Sequence, residues 1–145
     1  MAPKVGKNPR KAENFTMAPK VIIIIDDEPL IRWSLRETLK KEGFTVLEAK
    51  DGKSALSHFS PEHDGVSGIL LDYKLPDTDG IRVLQEIRKT HPDTPVVMMT
   101  AYGTPEVAEQ AAQLKVAAFI EKPFDVKQLV NRVRDLIQPP GKQKE

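Results

Sequence analysis

Five short apolar runs, each followed by a polar segment that mostly shows helical period, constrain the fold of this 145-residue chain more than any other feature. They are VIIII at 21–25, TVLEA at 45–49, SGILL at 67–71, PVVMM at 95–99 and AAFI at 117–120. Most are apolar without alternation. A strand with one wet face alternates apolar and polar residues, whereas a strand covered on both faces does not, so a parallel sheet sandwiched between helices is expected.

The intervening segments agree. After Pro29, Ile31, Leu35 and Leu39 recur at helical spacing, and Gly43 stands where a C-terminal cap belongs. Asp79 can cap a helix carrying Val83, Leu84 and Ile87. Thr104 and Pro105 open another with Val107, Ala111 and Leu114 on one side. The last starts at Asp125, with Gln128 placed as in a capping box, and carries Val126, Leu129, Val130, Val133 and Ile137. Right-handed crossovers turn five such units into a single doubly wound α/β domain, (βα)5.

Ligands bind such sheets outside the carboxyl ends of the strands. The first run ends in Asp26 and Asp27, the third in Asp72, the fourth in Thr100, and the fifth leads to Lys122, so three carboxylates, a hydroxyl and an ammonium are expected at one edge. Three close carboxylates repel one another unless protons or a cation neutralise them. An all-oxygen set without His or Cys suits Mg2+. With a lysine and a hydroxyl alongside, the chemistry favoured is phosphoryl transfer, and Asp72 is the natural nucleophile. Each residue also has a plain reading: Asp26 and Asp27 as helix caps, Asp72 as a turn residue, Thr100 as a strand end, Lys122 as a solvated charge. Those readings leave unexplained why the polar residues coincide at the strand ends of four separate segments.

Formal net charge is +1 with both signs interspersed, which argues against an electrostatic nucleic-acid or membrane binder. The absence of cysteine excludes disulfides and thiolate metal sites, and a cytoplasmic location is expected. Residues 1–19, in which MAPK occurs twice, read as a disordered leader or tag, 20–138 as the domain, and 139–145 as a linker or tail. His58, His63 and His91 lack metal-ligand spacing and are expected at the surface. Met98, Met99, Phe44, Phe59 and Phe119 read as core. Trp33, opposite the apolar stripe of its helix, is either packed against a neighbouring side chain or a partner contact.

Together, DDEP, LLDYKLPDTDG, MMTAYG and EKPFD resemble the receiver domain of bacterial response regulators, over about Lys20 to Gln138. DEPLIRWSLRETL and MTAYG are further similar to receivers of the nitrogen-regulation class of transcription activators. The resemblance implies a flavodoxin-like sheet of order 2-1-3-4-5. It implies that Asp72 takes a phosphoryl group from a sensor histidine kinase, that Mg2+ is held by Asp26, Asp27, Asp72 and the Lys74 carbonyl, and that Lys122 pairs with the phosphoryl oxygens across a cis Lys122–Pro123 bond. Thr100 and Tyr102 would form the switch, reshaping the face of the fourth helix, fifth strand and fifth helix, with homodimerisation on activation and no nucleic-acid or membrane contact by this chain. Self-catalysed phosphorylation and dephosphorylation of the aspartate are the only catalysis implied. Lys115 departs from the pattern, standing where receivers commonly have glycine, at a cost of about 1 kcal/mol if its backbone is left-handed. The Lys74 side chain either screens the phosphoryl group from water or is simply solvated. An aspartyl-phosphate phosphatase is the rival reading, but such enzymes usually carry D-x-D on the first strand, and no Walker-type loop supports nucleotide binding.

Overall fold

The computed structural model describes residues 19–62 and 65–137. Residues 1–18 of the expected leader, Gln138 at the end of the expected domain, the expected tail 139–145 and His63 fall outside them. The elements run β1 (Val21–Ile25), α1 (Pro29–Lys41), β2 (Thr45–Ala49), α2 (Gly52–Leu56), β3 (Gly68–Asp72), α3 (Gly80–Thr90), β4 (Val96–Thr100), α4 (Pro105–Gln113), β5 (Ala118–Glu121) and α5 (Val126–Leu136). All four strand pairings are parallel, in the order β2-β1-β3-β4-β5. The winding reverses between β1 and β3, which opens a crevice at their carboxyl ends.

The apolar runs of β1, β3 and β4 behave as strands buried on both faces. Ile22 to Ile25 have no exposed surface; Ile22 and Ile24 face α1 and α5, while Ile23 and Ile25 face α2, α3 and α4. Each such side chain contributes about 1.5–3 kcal/mol relative to an exposed one. Leu35 and Leu39 of α1 meet Leu129, Val130 and Val133 of α5 on the first face. On the second, Ala55, Val83, Leu84, Ile87 and Ala111 close a separate cluster. Phe119, expected in the core, is only half-buried because β5 is the sheet edge.

Helix ends follow the sequence signals closely. Asp79, Thr104 and Asp125 accept hydrogen bonds from the N–H groups of Arg82, Val107 and Gln128. The C-terminus of α1 closes with Gly43 at φ 98°, its N–H donating to Lys40 and that of Phe44 donating to Leu39, the paired bonds of a Schellman motif. The same motif ends α4, with Lys115 at φ 63°, so the expected left-handed lysine is real. The helix end is reinforced. Arg88 of α3 donates to the carbonyls of Leu114, Lys115, His91 and Thr94, binding α4, α3 and the approach to β4 into one clamp. The short α2 carried no clear apolar period. It is started by a capping box between Asp51 and Ser54, and Asp77 accepts from the N–H groups of Gly52 and Lys53.

One histidine departs from expectation. His91 is buried, not at the surface: its Nδ1 lies 2.7 Å from the Thr90 hydroxyl and its ring stands edge-on to Phe59 at 5.2 Å. An aromatic body with two polar nitrogens is buried readily once a nitrogen has a partner. Trp33 is 55% exposed, so any packing against a neighbour is partial. Leu30, one turn earlier, is 80% exposed.

Candidate functional site

Parallel register brings all five strand ends to one edge. Asp26 and Asp27 follow β1, Asp72 is the last residue of β3, Thr100 the last of β4, and Lys122 follows β5. Asp26, Asp72 and Thr100 are buried although polar. The capping role open to Asp26 and Asp27 is not taken. The residue before α1 is Glu28, which makes no side-chain cap bond, and Asp26 Oδ1 accepts from the Glu28 N–H at 2.9 Å.

Lys122 stands at the centre. Its Nζ donates to Asp26 Oδ2 at 2.8 Å, Asp72 Oδ2 at 2.9 Å and Glu28 Oε2 at 3.1 Å, with the Lys122–Pro123 peptide cis as expected. Glu28 was missed by the sequence reading. Its cue was the third acid of DDEP, but nothing local says that it turns inward. Asp26, Asp27, Glu28 and Asp72 each place a carboxylate oxygen within 4.8 Å of the others.

This arrangement is electrostatically incomplete. Burial pushes the Asp72 carboxyl up to about 6, helped by the charge of Asp26 and opposed by Lys122. Burial likewise raises Asp26, against the bonds from Lys122 and the Glu28 N–H. Burial alone would pull the Lys122 ammonium down; its bonds to Asp26 and Asp72 outweigh that and hold it above the ordinary lysine range. One ammonium faces four carboxylates, so the site holds surplus negative charge that a divalent cation would neutralise. The donors are all oxygen, without imidazole or thiolate, which fits a hard cation of the Mg2+ or Ca2+ kind.

A cleft of about 260 Å³ opens over Asp72, lined also by Lys74, Leu75, Pro76, Ala101 and Tyr102. The Thr100 hydroxyl accepts from the Tyr102 N–H at 2.8 Å, which leaves its own proton to donate. Tyr102 points outward, 54% exposed, and the Lys74 ammonium sits 4.9 Å above its ring. Lys74 is thus an exposed cation–π partner at the cleft rim. Behind the cleft, Arg32 of α1 donates to the Asp26 carbonyl at 2.7 Å and to Glu48 of β2 at 3.1 Å.

Residues 22–134 match the response regulator receiver domain family. A probable transcriptional regulator, ycf27 of Cyanophora paradoxa, is 39% identical over 121 residues, covering 82% of this chain and 48% of that protein. The transcriptional regulatory protein CpxR of Klebsiella pneumoniae is 38% identical over 117 residues, covering 81% and 49%. The chain thus spans about half the length of these relatives. Among solved structures, a CheY-like receiver domain protein from Methanospirillum hungatei superposes with a TM-score of 0.76 at 28% identity, covering 82% of this chain and 94% of that one. The receiver domain of NtrX from Brucella abortus gives 0.69 at 34% identity, covering 79% and 95%. The CheX-CheY-BeF3-Mg+2 complex from Borrelia burgdorferi gives 0.74 at 26%, covering 81% and 89%. Sheet order, strand-end chemistry and these likenesses coincide over the same residues, and the chain belongs to the response regulator receiver domain family.

Proposed function

We propose that this domain is a phosphorylation-activated switch in which Asp72 accepts a phosphoryl group from the phosphohistidine of a sensor histidine kinase. The observation that carries the reading is Lys122, drawn from β5 to within hydrogen-bond reach of Asp26, Glu28 and Asp72. A carboxylate oxygen of Asp72 attacks phosphorus in line; the new O–P bond forms as the N–P bond breaks and the imidazole leaves. Lys122 is free to turn from the carboxylates to the phosphoryl oxygens, and Thr100 has a proton to donate to them.

Asp26, Asp27, Asp72 and the Lys74 carbonyl would hold Mg2+, with Glu28 at the rim. The ion, when bound, supplies the positive charge that offsets the carboxylates and the transferring phosphoryl oxygens. This chain's own contribution is to gather the acids and to bury two of them, Asp26 and Asp72. A likeness to a receiver solved with BeF3 and Mg2+ supports the choice of ion.

In activation, Thr100 leaves the Tyr102 N–H to bond the phosphoryl group. Tyr102 leaves Lys74 and turns inward, reshaping the face of α4, β5 and α5, where a homodimer would form. The phosphoryl group shifts this equilibrium only by the difference in how well the two states accommodate it. The groove of about 430 Å³ beside Lys122, floored by Ile31, Pro123 and Phe124 and rimmed by exposed Leu30, is where the kinase would dock. Among the described residues no helix is long and apolar enough to cross a membrane, and the proposed setting is the cytoplasm. The output is proposed to be transcription control of the nitrogen-regulation kind, supported by DEPLIRWSLRETL and MTAYG and, for transcription control, by the likeness to transcriptional regulators. No catalysis beyond the domain's own phosphorylation and dephosphorylation is proposed.

The test is labelling by acetyl phosphate with Mg2+. Asp72→Asn is expected to lose labelling and beryllofluoride binding, and full labelling would remove Asp72 from its role. Thr100→Ala is expected to be labelled while the Tyr102 resonances no longer respond.

A further inference from the structure

The loop of residues 26–28 brings three of the four clustered carboxylates to the edge of the sheet, against their mutual repulsion. Lys122 draws the side chains of Asp26 and Glu28 toward it. Something must also fix the backbone, because strand pairing ends at Ile25 opposite Ala49. The Asp26 N–H continues the ladder by one bond, to the Ala49 carbonyl at 3.1 Å. The Asp26 carbonyl is taken by Arg32 Nη1 at 2.7 Å.

Arg32 is itself immobilised. Its Nε donates to Glu48 Oε1 at 3.1 Å, and the other oxygen of Glu48 accepts from Arg36 Nη1 at 2.7 Å. Burial would raise the Glu48 carboxyl, but the bonds from Arg36 and Arg32 outweigh it and hold it below the usual range, so the bridge is ionised at neutral pH. The Arg32 and Glu48 side chains are 18% and 28% exposed, sheltered enough that the pair is not a screened surface contact. Both backbone polar groups of Asp26 are therefore anchored to the end of β2: one directly through Ala49, the other through Arg32 and Glu48.

We propose that Arg32, locked by Glu48, is a positioning residue for the cation site, holding the Asp26 carbonyl so that the carboxylates of Asp26, Asp27 and Glu28 converge on Asp72. The inference rests on the cation-binding reading above and assigns to it a supporting pair on the far side of β1. A lysine cannot replace the arginine, because a single ammonium does not span the carbonyl and Glu48 as a planar fork does.

The sign of the effect distinguishes positioning from charge. Arg32→Met removes a positive charge behind the site, which by Coulomb attraction alone tightens Mg2+ binding. Loss of positioning weakens it, by about tenfold as is usual for groups that orient metal ligands. Mg2+ titrations followed by amide NMR on the full chain are expected to show that weakening in Arg32→Met. Glu48→Gln keeps the side-chain shape and is expected to show a smaller loss of the same sign, which removal of a negative charge also predicts, so it is read by amide exchange and not by affinity. Arg32→Lys, with the charge kept, is expected to bind more weakly than wild type. Amide exchange at Asp27 and Glu28 in cation-free protein is expected to quicken in all three. Unchanged or tighter Mg2+ binding in Arg32→Met, or a lowered melting temperature with unaltered affinity, would overturn the assignment. Wild-type protein that binds no Mg2+ would instead refute the cation reading, and the exchange rates would then judge the clamp alone.

Discussion

Gly80, the first residue of α3, lies directly behind the proposed phosphoacceptor. A Cβ built there meets the Asp72 carbonyl oxygen at 2.6 Å, Tyr73 Cα at 3.0 Å and the Asp72 carbonyl carbon at 3.3 Å. All three are backbone atoms at the end of β3, which β1 and β4 flank on either side, so no flexible side chain can yield. Two effects oppose each other in Gly80→Ala. Alanine restricts the unfolded chain and favours the helix, and Gly80 has no positive φ to forbid it, which stabilises by about 0.4–1 kcal/mol. The methyl group falls roughly 0.8 Å short of ordinary van der Waals separation from the carbonyl oxygen. Forcing such a contact into packed surroundings costs about 1–3 kcal/mol. Overpacking wins, and a net loss of about 1–2 kcal/mol is expected, a fall in melting temperature of about 4–8 °C for a domain of this size. The backbone of Asp72 is displaced at the same time. A shift approaching 1 Å at a reacting group costs on the order of a hundredfold in rate, so labelling by acetyl phosphate should slow by about tenfold or more. Scanning calorimetry and a labelling time course provide the assay. A variant as stable as wild type and labelled at the same rate would refute the claim that α3 braces Asp72 through this contact.

Because the Asp72 carboxyl is raised to about 6 in the folded state, the folded protein binds the extra proton. Its contribution to stability is fully present below about pH 4 and is lost as pH rises through about 6. Cation-free protein should therefore gain stability from Asp72→Asn at pH 7.5 but not at pH 4, and wild-type Mg2+ affinity should fall as pH drops through about 6; urea unfolding and Mg2+ titration at each pH check both. Arg88→Met leaves the carbonyls of Leu114, Lys115, His91 and Thr94 without the guanidinium and is expected to cost about 2–3 kcal/mol, with faster amide exchange at the ends of α3 and α4. Lys115→Gly relieves the left-handed backbone and gives up only an exposed 3.7 Å contact with Asp93, so a gain of about 0.5–1 kcal/mol by urea midpoint is expected.

The sheet was legible because what defines it is local. Runs such as VIIII carry no alternation, and that alone says both faces are covered; the start and stop residues Asp79, Thr104, Asp125 and Gly43 act on amides or carbonyls within a turn of themselves. The strand-end residues could be named for the same reason, since in a parallel sheet the position along the strand fixes the edge at which a side chain emerges. Tertiary structure decided which of them touch. Lys122 reaches Asp26 across 96 residues and Asp72 across 50, and it also draws in Glu28, whose inward turn no local pattern encodes. The burial of His91 against Phe59, the exposure of Trp33 and the clamps of Arg32 and Arg88 are of the same kind. Periodicity and capping are properties of a few consecutive residues, whereas the partner of a long polar side chain is set by whichever distant carbonyl or carboxylate the assembled fold brings within 3 Å of its tip.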